Sequence, residues 1–130
     1  MRLYLDADIF LTLLKEEDRF KKSAKKFLNE NKENKLITSS ITCLEIWFFL
    51  YKNNLKEKAF DAVRSIKKIA EVIEFETKDM ESALLIAEKY KLTPADSIHA
   101  ILAKTCDAIV SSDKSFLKIN ELKIIDFSKE

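Results

Sequence analysis

Five acidic residues are the side chains of this sequence best suited to chemistry. Two of them interrupt the apolar stretch RLYLDADIFLTLL and three follow later in the chain: Asp6, Asp8, Glu45, Asp96 and Asp113. Burying an unpaired carboxylate costs several kcal/mol, which is comparable to the net stability of a whole domain. These acids therefore either cap helices where the chain leaves the core, or are gathered to bind a cation.

Each acid taken singly has a structural explanation as a helix cap, and for any one residue we favour it. An Asp accepts hydrogen bonds from free backbone N–H groups at a helix start, and a Thr followed three residues later by an acid has the spacing of a capping box. The explanation does not account for Asp6, which ends a strand. The candidate caps are Asp8, Asp113, Thr42 with Glu45, and Thr93 with Asp96.

A carboxylate cluster explains the acids jointly. Carboxylates brought close together repel, so some would take up protons unless a cation is present. Mg²⁺ and Mn²⁺ prefer oxygen ligands, and such ions lower the pKa of a bound water and stabilise charge on a phosphodiester. With one His, and with Cys43 and Cys106 far apart, a zinc site or a disulfide framework is a poor alternative.

The elements that must position these acids are short β-rich segments, which alternate along the chain with segments of helical pattern. The predicted strands are Leu3–Leu5, Leu36–Thr38, Val72–Phe75, Ala108–Val110 and Lys123–Asp126. Helix start signals stand at Ser39-Ser40, Thr77 and Thr93-Pro94. The pattern predicts an α/β fold: a single three-layer domain spanning residues 1–130, with a central, mostly parallel five-stranded sheet flanked by helices.

In such a sheet the carboxyl ends of the strands and the amino ends of the helices meet at one edge, where ligands bind. Asp6 and Asp113 follow predicted strands directly. Asp96 lies in the first turn of its helix, and Glu45 about a turn into another. We therefore expect the acids to converge at this edge.

Composition excludes several function classes. The 130 residues contain no glycine, so phosphate-cradling loops and the G-x-S-x-G nucleophile elbow are excluded. A net charge of +1 indicates no global basic field for nucleic acid or membrane. Without an apolar stretch long enough to cross a bilayer, we expect a soluble, cytoplasmic protein with no membrane partner.

Three segments resemble the motifs of PIN-domain nucleases, in the family's order and over nearly the whole chain. YLDADIFL resembles the opening motif, an apolar strand followed by Asp, with Asp6 as the acid. SSITCLEIWFFL resembles the second block, which supplies Glu45 from a helix. LTPADSIHAILAKTCDAIVSSDKSF resembles the third and fourth, with Asp96, Asp113 and Phe116 at the family spacing.

The resemblance implies a PIN-like fold and a site that holds one or two Mg²⁺ or Mn²⁺ ions. The implied catalytic and metal-binding residues are Asp6, Glu45, Asp96 and Asp113, with Asp8 and Ser112 in an outer shell. A lone domain of this length most resembles VapC-type toxins. That resemblance implies an endoribonuclease acting on RNA, commonly a homodimer and silenced by a small antitoxin protein.

Two departures from the family pattern concern the number of metal ions. Ala7-Asp8 stands where Thr-Asn is usual, and Ser115 replaces an acid that often precedes Phe116. The second departure removes a fifth candidate ligand.

Two other functions compete with a ribonuclease. DADIF partly fits the D-x-D motif of haloacid-dehalogenase-like phosphatases, in which the first Asp is a covalent nucleophile, but Phe10 occupies the fifth place and Glu45 and Asp96 are left without roles. The second alternative is a PIN-like fold that only binds. Loss of catalysis would be expected to erode the acids, yet all four expected positions are acidic.

Other features have simpler explanations. His99, one helical turn after Asp96, is expected to be a packed or hydrogen-bonded residue and not a metal ligand, and a Ser97 nucleophile lacks an oxyanion loop. The lysine clusters FKKSAKKF and RSIKKIA predict solvated helix faces, of which a subset would contact RNA phosphates. The segment IWFFLY is apolar around most of its helix, so we expect Trp47 or Tyr51 to contribute to a dimer or antitoxin interface.

Overall fold

Five parallel strands form the central sheet of the protein, which a computed structural model describes over residues 1–129. The strand order is β3-β2-β1-β4-β5. The strands are β1 Arg2–Leu5, β2 Lys35–Ser39, β3 Glu71–Ile73, β4 Ala108–Val110 and β5 Ile124–Ile125. The predicted α/β architecture with a parallel five-stranded sheet is confirmed.

Strand β1 lies at the centre of the sheet because its side chains are apolar on both faces, as a sheet covered on both sides requires. Leu3 pairs in register with Leu36 of β2 and with Ala108 of β4. Leu3 and Leu5 belong to one buried cluster, whereas Tyr4 belongs to the other. Alternate residues of β1 thus contribute to the two halves of the core.

Six helices cover the two faces of the sheet. Their bounds are α1 Ala7–Leu14, α2 Lys21–Glu30, α3 Ser40–Lys52, α4 Ala59–Ile69, α5 Thr77–Tyr90 and α6 Pro94–Ala103, with short 3₁₀ turns at Lys56–Lys58 and Lys114–Lys118. Helices α1 to α4 supply the cluster around Leu3 and Leu5, and α5 and α6 supply the cluster around Tyr4. Each fully buried Leu or Ile contributes about 1.5–3 kcal/mol.

Strand β3 and the starts of helices α3 and α5 differ locally from the prediction. Strand β3 ends at Ile73, not at Phe75, because Glu76 already caps α5: its backbone N–H donates to Asp79 Oδ2 over 2.8 Å. Thr77 is therefore the first residue of the helix and not its cap. Ser39 precedes α3 as predicted, but its hydroxyl makes no cap hydrogen bond and instead contacts Tyr4.

The parallel order brings the ends of β1, β2 and β4 to one edge of the sheet, together with the starts of α1, α3 and α6. No helix among residues 1–129 combines the length and the apolar character needed to cross a membrane.

Candidate active site

The predicted acids converge at this edge, each delivered by a different element. Asp6 directly follows β1 and caps α1, so the cap predicted at Asp8 is wrong: α1 already begins at Ala7 and Asp8 lies in its first turn. Asp113 follows β4 and caps the 3₁₀ turn, as predicted. Glu45 lies in the second turn of α3, and Asp96 in the first turn of α6. Shared partners join them: the hydroxyl of Ser111 contacts both Asp6 and the backbone of Asp113, and His99 contacts both Asp6 and Glu45.

Asp6 is the most deeply buried of the acids, with 4% of its surface exposed. Its Oδ1 accepts the N–H of Ala7 over 2.8 Å, and its Oδ2 accepts the hydroxyl of Ser111 over 2.7 Å. Burial raises the pKa of Asp6; His99 and Ser111 lower it, and the charges of Asp96 and Glu45 raise it again, leaving the pKa above its usual value. The side chain is thus held rigidly among other acids.

Asp8 lies beside Asp6, with one carboxylate oxygen satisfied and the other not. Its Oδ2 accepts both the backbone N–H and the hydroxyl of Ser112, over 2.8 and 2.5 Å. Its Oδ1 is buried without a hydrogen-bond partner among the described residues. Burial first, and then the charge of Asp6, raise the pKa of Asp8 to about 7. Asp8 and Ser112, predicted together as outer-shell residues, therefore contact each other directly.

The side chain of Glu45 is held by a hydrogen bond to a buried histidine. Its Oε1 lies 2.5 Å from His99 Nε2, and the same nitrogen lies 3.4 Å from Asp6 Oδ1. Thr42, proposed from its spacing to form a capping box with Glu45, instead contacts Thr38. The capping-box interpretation of Glu45 is therefore wrong, because α3 already begins at Ser40, two residues before Thr42.

Asp96 combines a cap contact with a carboxyl whose pKa is raised. Its backbone N–H donates to Thr93 Oγ1 over 3.3 Å, so Thr93 is a helix cap as predicted. Burial raises the pKa of the Asp96 carboxyl, and the charge of Asp113 raises it further. The last two acids of the sequence pattern are thus neighbours.

His99 is buried and hydrogen-bonded, as expected, but its partners include two of the acids. Burial alone would lower the pKa of His99; the hydrogen bond to Glu45 and the charges of Asp6, Glu45 and Asp96 outweigh it and raise the pKa.

Three further polar residues belong to the site and were not predicted. Ser111 donates to Asp6 and accepts the N–H of Asp113 over 3.0 Å. Within the core, the hydroxyl of Tyr4 contacts both His99 and Ser39. Only Ser111 left a signal in the sequence, as one of the two serines between β4 and Asp113.

The donor set fits a hard divalent cation in type. The ligand atoms are carboxylate oxygens, and one of them, Asp8 Oδ1, is buried and unpaired. Raised pKa values at Asp6, Asp8 and Asp96 show that these acids gain from added positive charge. Within residues 1–129, however, no three His, Cys, Asp or Glu side chains already stand in an arrangement that would hold a metal ion.

Comparison with known proteins relates nearly the whole chain to one family. The family model for the PIN domain matches residues 3–122. Among characterised proteins, ribonuclease VapC1 of Aquifex aeolicus is 28% identical over 122 residues, covering 88% of this chain and 83% of that protein.

Solved structures share the fold over nearly the whole chain. VapBC2 from Rickettsia felis, bound to a DNA fragment from its promoter, matches with a TM-score of 0.77 at 20% identity, covering 96% of this chain and 98% of that one. A toxin–antitoxin complex from Klebsiella pneumoniae matches with a TM-score of 0.70 at 18% identity, covering 96% and 97%.

Proposed function

The chain belongs to the PIN-domain family, and from this we propose that it is a metal-dependent endoribonuclease, the toxin of a VapBC-type toxin–antitoxin pair. The observation that carries the proposal is the convergence of Asp6, Glu45, Asp96 and Asp113 at one sheet edge. The resemblance to a ribonuclease, VapC1, supports the substrate class. Membership of the PIN-domain family also explains the segment DADIF, so a haloacid-dehalogenase-like phosphatase is not needed to explain it.

Asp6, Glu45, Asp96 and Asp113 would hold one or two Mg²⁺ or Mn²⁺ ions. When bound, such an ion supplies a water of lowered pKa and neutralises negative charge on the phosphodiester. Asp6 contributes a fixed position, because its two oxygens accept hydrogen bonds from Ala7 and Ser111. Asp96 is partly exposed and burial raises the pKa of its carboxyl, so its carboxylate can accept a proton from a water at the site.

Space for the substrate adjoins Asp113. A cavity of about 260 Å³ is lined by residues that include Ser111, Ser112, Asp113, Lys114, Asp126 and Lys129. The charges of its two lysines and two aspartates balance, and the two lysines are the groups in it that can contact RNA phosphates. The acids would then act at a phosphodiester held between this cavity and α6.

We propose a small antitoxin protein and a second copy of the chain as partners. The VapBC and toxin–antitoxin structures with this fold support the antitoxin. An apolar stripe on α3 supports a protein interface, because it leaves four large side chains more than half exposed: Leu44, Trp47, Phe48 and Tyr51.

The test of the catalytic proposal is cleavage of a labelled RNA by the purified chain in Mg²⁺ or Mn²⁺, with and without EDTA. We expect cleavage that EDTA abolishes and added Mg²⁺ restores. Cleavage that EDTA leaves unchanged would contradict the metal dependence. A chain that binds RNA but never cuts it would favour the non-catalytic binding module, and turnover of p-nitrophenyl phosphate in place of RNA would favour a phosphatase.

A further inference from the structure

A continuous line of hydrogen bonds runs from the interior of the protein to the acids. Ser39 Oγ lies 2.7 Å from the hydroxyl of Tyr4, and that hydroxyl lies 2.7 Å from His99 Nδ1. On the opposite side of the ring, His99 Nε2 contacts Glu45. The four residues come from β2, β1, α6 and α3, so the line joins elements that are distant in sequence.

The first three of these residues, Ser39, Tyr4 and His99, are completely buried, and we call them the buried chain. Buried polar groups cost free energy unless they are hydrogen-bonded, and apolar residues of similar shape would pack here without that cost. Tyr4 and His99 meet edge to face, with ring centroids 5.6 Å apart. Since packing alone does not require these polar groups, the hydrogen bonds that link them to the acids through His99 call for a functional explanation.

The direction of the hydrogen bonds follows from the carboxylate end. An ionised carboxylate only accepts, so His99 Nε2 carries the proton that it donates to Glu45. In a neutral imidazole the other nitrogen, Nδ1, is then an acceptor, so Tyr4 donates to it and Ser39 donates to Tyr4. With the imidazole neutral, every proton of the buried chain points toward the acids; with the imidazole protonated, Nδ1 donates to Tyr4 instead. In both states the ring cannot rotate without breaking a hydrogen bond at each nitrogen.

His99 also sets the separation of two acids. Its Nε2 lies 2.5 Å from Glu45 Oε1 and 3.4 Å from Asp6 Oδ1, so one N–H group stands between the two carboxylates. Asp6 is fixed on its other side by Ser111 and Ala7. Glu45, by contrast, makes no other side-chain hydrogen bond in the described part of the chain, and its side chain is 31% exposed.

We infer that Tyr4 and His99 are positioning residues, which hold Glu45 at a fixed distance from Asp6 and thereby set the affinity of the site for a divalent cation. This inference rests on the proposed function, because it assumes that Glu45 and Asp6 are ligands. Residues behind the ligands of a metal site commonly act in this way, and their loss typically costs about 10- to 100-fold in metal affinity or activity.

The experiment is isothermal titration calorimetry of the metal-free full-length chain with Mn²⁺, combined with RNA cleavage measured over a range of Mn²⁺ concentrations. Tyr4→Phe removes one hydroxyl and keeps the ring, and we expect it to weaken Mn²⁺ binding by about 10-fold. His99→Leu removes both ring contacts, and we expect a larger loss. High Mn²⁺ should restore most of the cleavage rate in Tyr4→Phe, because the defect lies in binding and not in the chemical step.

Two variants separate positioning from a general loss of packing. His99→Gln keeps an N–H donor for Glu45, so we expect it to recover Mn²⁺ affinity relative to His99→Leu. Tyr90→Phe removes a hydroxyl from another tyrosine packed against the same core cluster, and it should bind Mn²⁺ like the unaltered chain. Circular dichroism melting of every variant identifies any variant that does not fold. If His99→Leu does not fold, the Mn²⁺ affinities of Tyr4→Phe and Ser39→Ala test the inference in its place.

The possible failures are distinguishable. If the unaltered chain binds Mn²⁺ and cuts RNA, while folded Tyr4→Phe and His99→Leu bind Mn²⁺ with the same affinity, the inference is overturned and the proposed function stands. If the unaltered chain binds no Mn²⁺ at all, both the metal dependence and the inference are overturned.

Discussion

Ser111 connects three of the acidic residues through a single hydroxyl group. Its Oγ lies 2.7 Å from Asp6 Oδ2 and 3.4 Å from Asp8 Oδ2, and accepts the N–H of Asp113 over 3.0 Å. The closer contact identifies Asp6 as the acceptor of its proton. At the scale of the residue, the site is thus organised as much by neutral hydroxyl groups as by the acids themselves.

The raised pKa of Asp8 indicates how the stability of the metal-free protein depends on pH. Its pKa in the folded state is about 7, against 3.8 for the free group. Between these two pH values the folded chain binds more protons than the unfolded chain, so stability falls as pH rises. The raised pKa values of Asp6, Asp96 and His99 act with the same sign.

We therefore expect the melting temperature in EDTA to rise when the pH is lowered from about 7.5 to about 5.5. Asp8→Asn cannot ionise, so it should melt higher than the unaltered chain at the upper pH and show a smaller change between the two. Differential scanning calorimetry at both pH values measures this. A melting temperature that falls on acidification over this range would contradict the assignment.

At the scale of the element, the absence of glycine has a structural consequence at the end of α5, where another residue adopts a left-handed conformation. Lys91 ends this helix with φ of 57°, a left-handed conformation that favours glycine. Asn54 is the other residue with positive φ in the described part of the chain, and Asn tolerates this conformation better than Lys does.

We expect Lys91→Gly to raise the free energy of unfolding by about 1 kcal/mol, because it relieves the clash of Cβ in this conformation. Asn54→Gly is the matched control, and its gain should be smaller. Urea denaturation followed by circular dichroism measures both. Destabilisation by Lys91→Gly would mean that the side chain makes a contact worth more than the backbone strain.

The elements also show which features were predictable from sequence. Periodicity and start signals identified the strands, the helices and the edge where they meet, because these depend on local patterns. Asp6 was identifiable because an acid contrasts with an apolar strand. Tyr4 and Ser39 were not, because a tyrosine within a strand looks like a core residue and a serine before a helix looks like a cap. Only the folded structure links Ser39 through Tyr4 to His99.

At the scale of the whole molecule, the stripe on α3 is the clearest feature that a single chain does not explain. Trp47 is 56% exposed and Tyr51 63% exposed, consistent with the predicted surplus of apolar surface on this helix. Exposed aromatic side chains in a contiguous stripe indicate a protein interface, of which aromatic residues are typical.

We expect the unaltered chain to sediment as a dimer or to bind a small antitoxin protein, and the double variant Trp47→Ser/Tyr51→Ser to lose that association. Phe60→Ser is the control, because Phe60 is 74% exposed but lies outside the stripe, on α4. Analytical ultracentrifugation of the chain, alone and co-expressed with a candidate small antitoxin protein, makes the measurement. A chain that is strictly monomeric and binds no such protein would contradict the interface.

The central claim is that acids from distant parts of the chain form one catalytic centre, and the most direct test is RNA cleavage by Asp6→Asn and Asp96→Asn. Each keeps the shape of the side chain and removes its charge, and Asp61→Asn, on the exposed start of α4, is the matched control. We predict that both site variants remain folded and lose at least the activity that residues behind metal ligands typically contribute, about 10- to 100-fold, while the control cuts RNA normally. Full activity in either folded site variant would contradict the account.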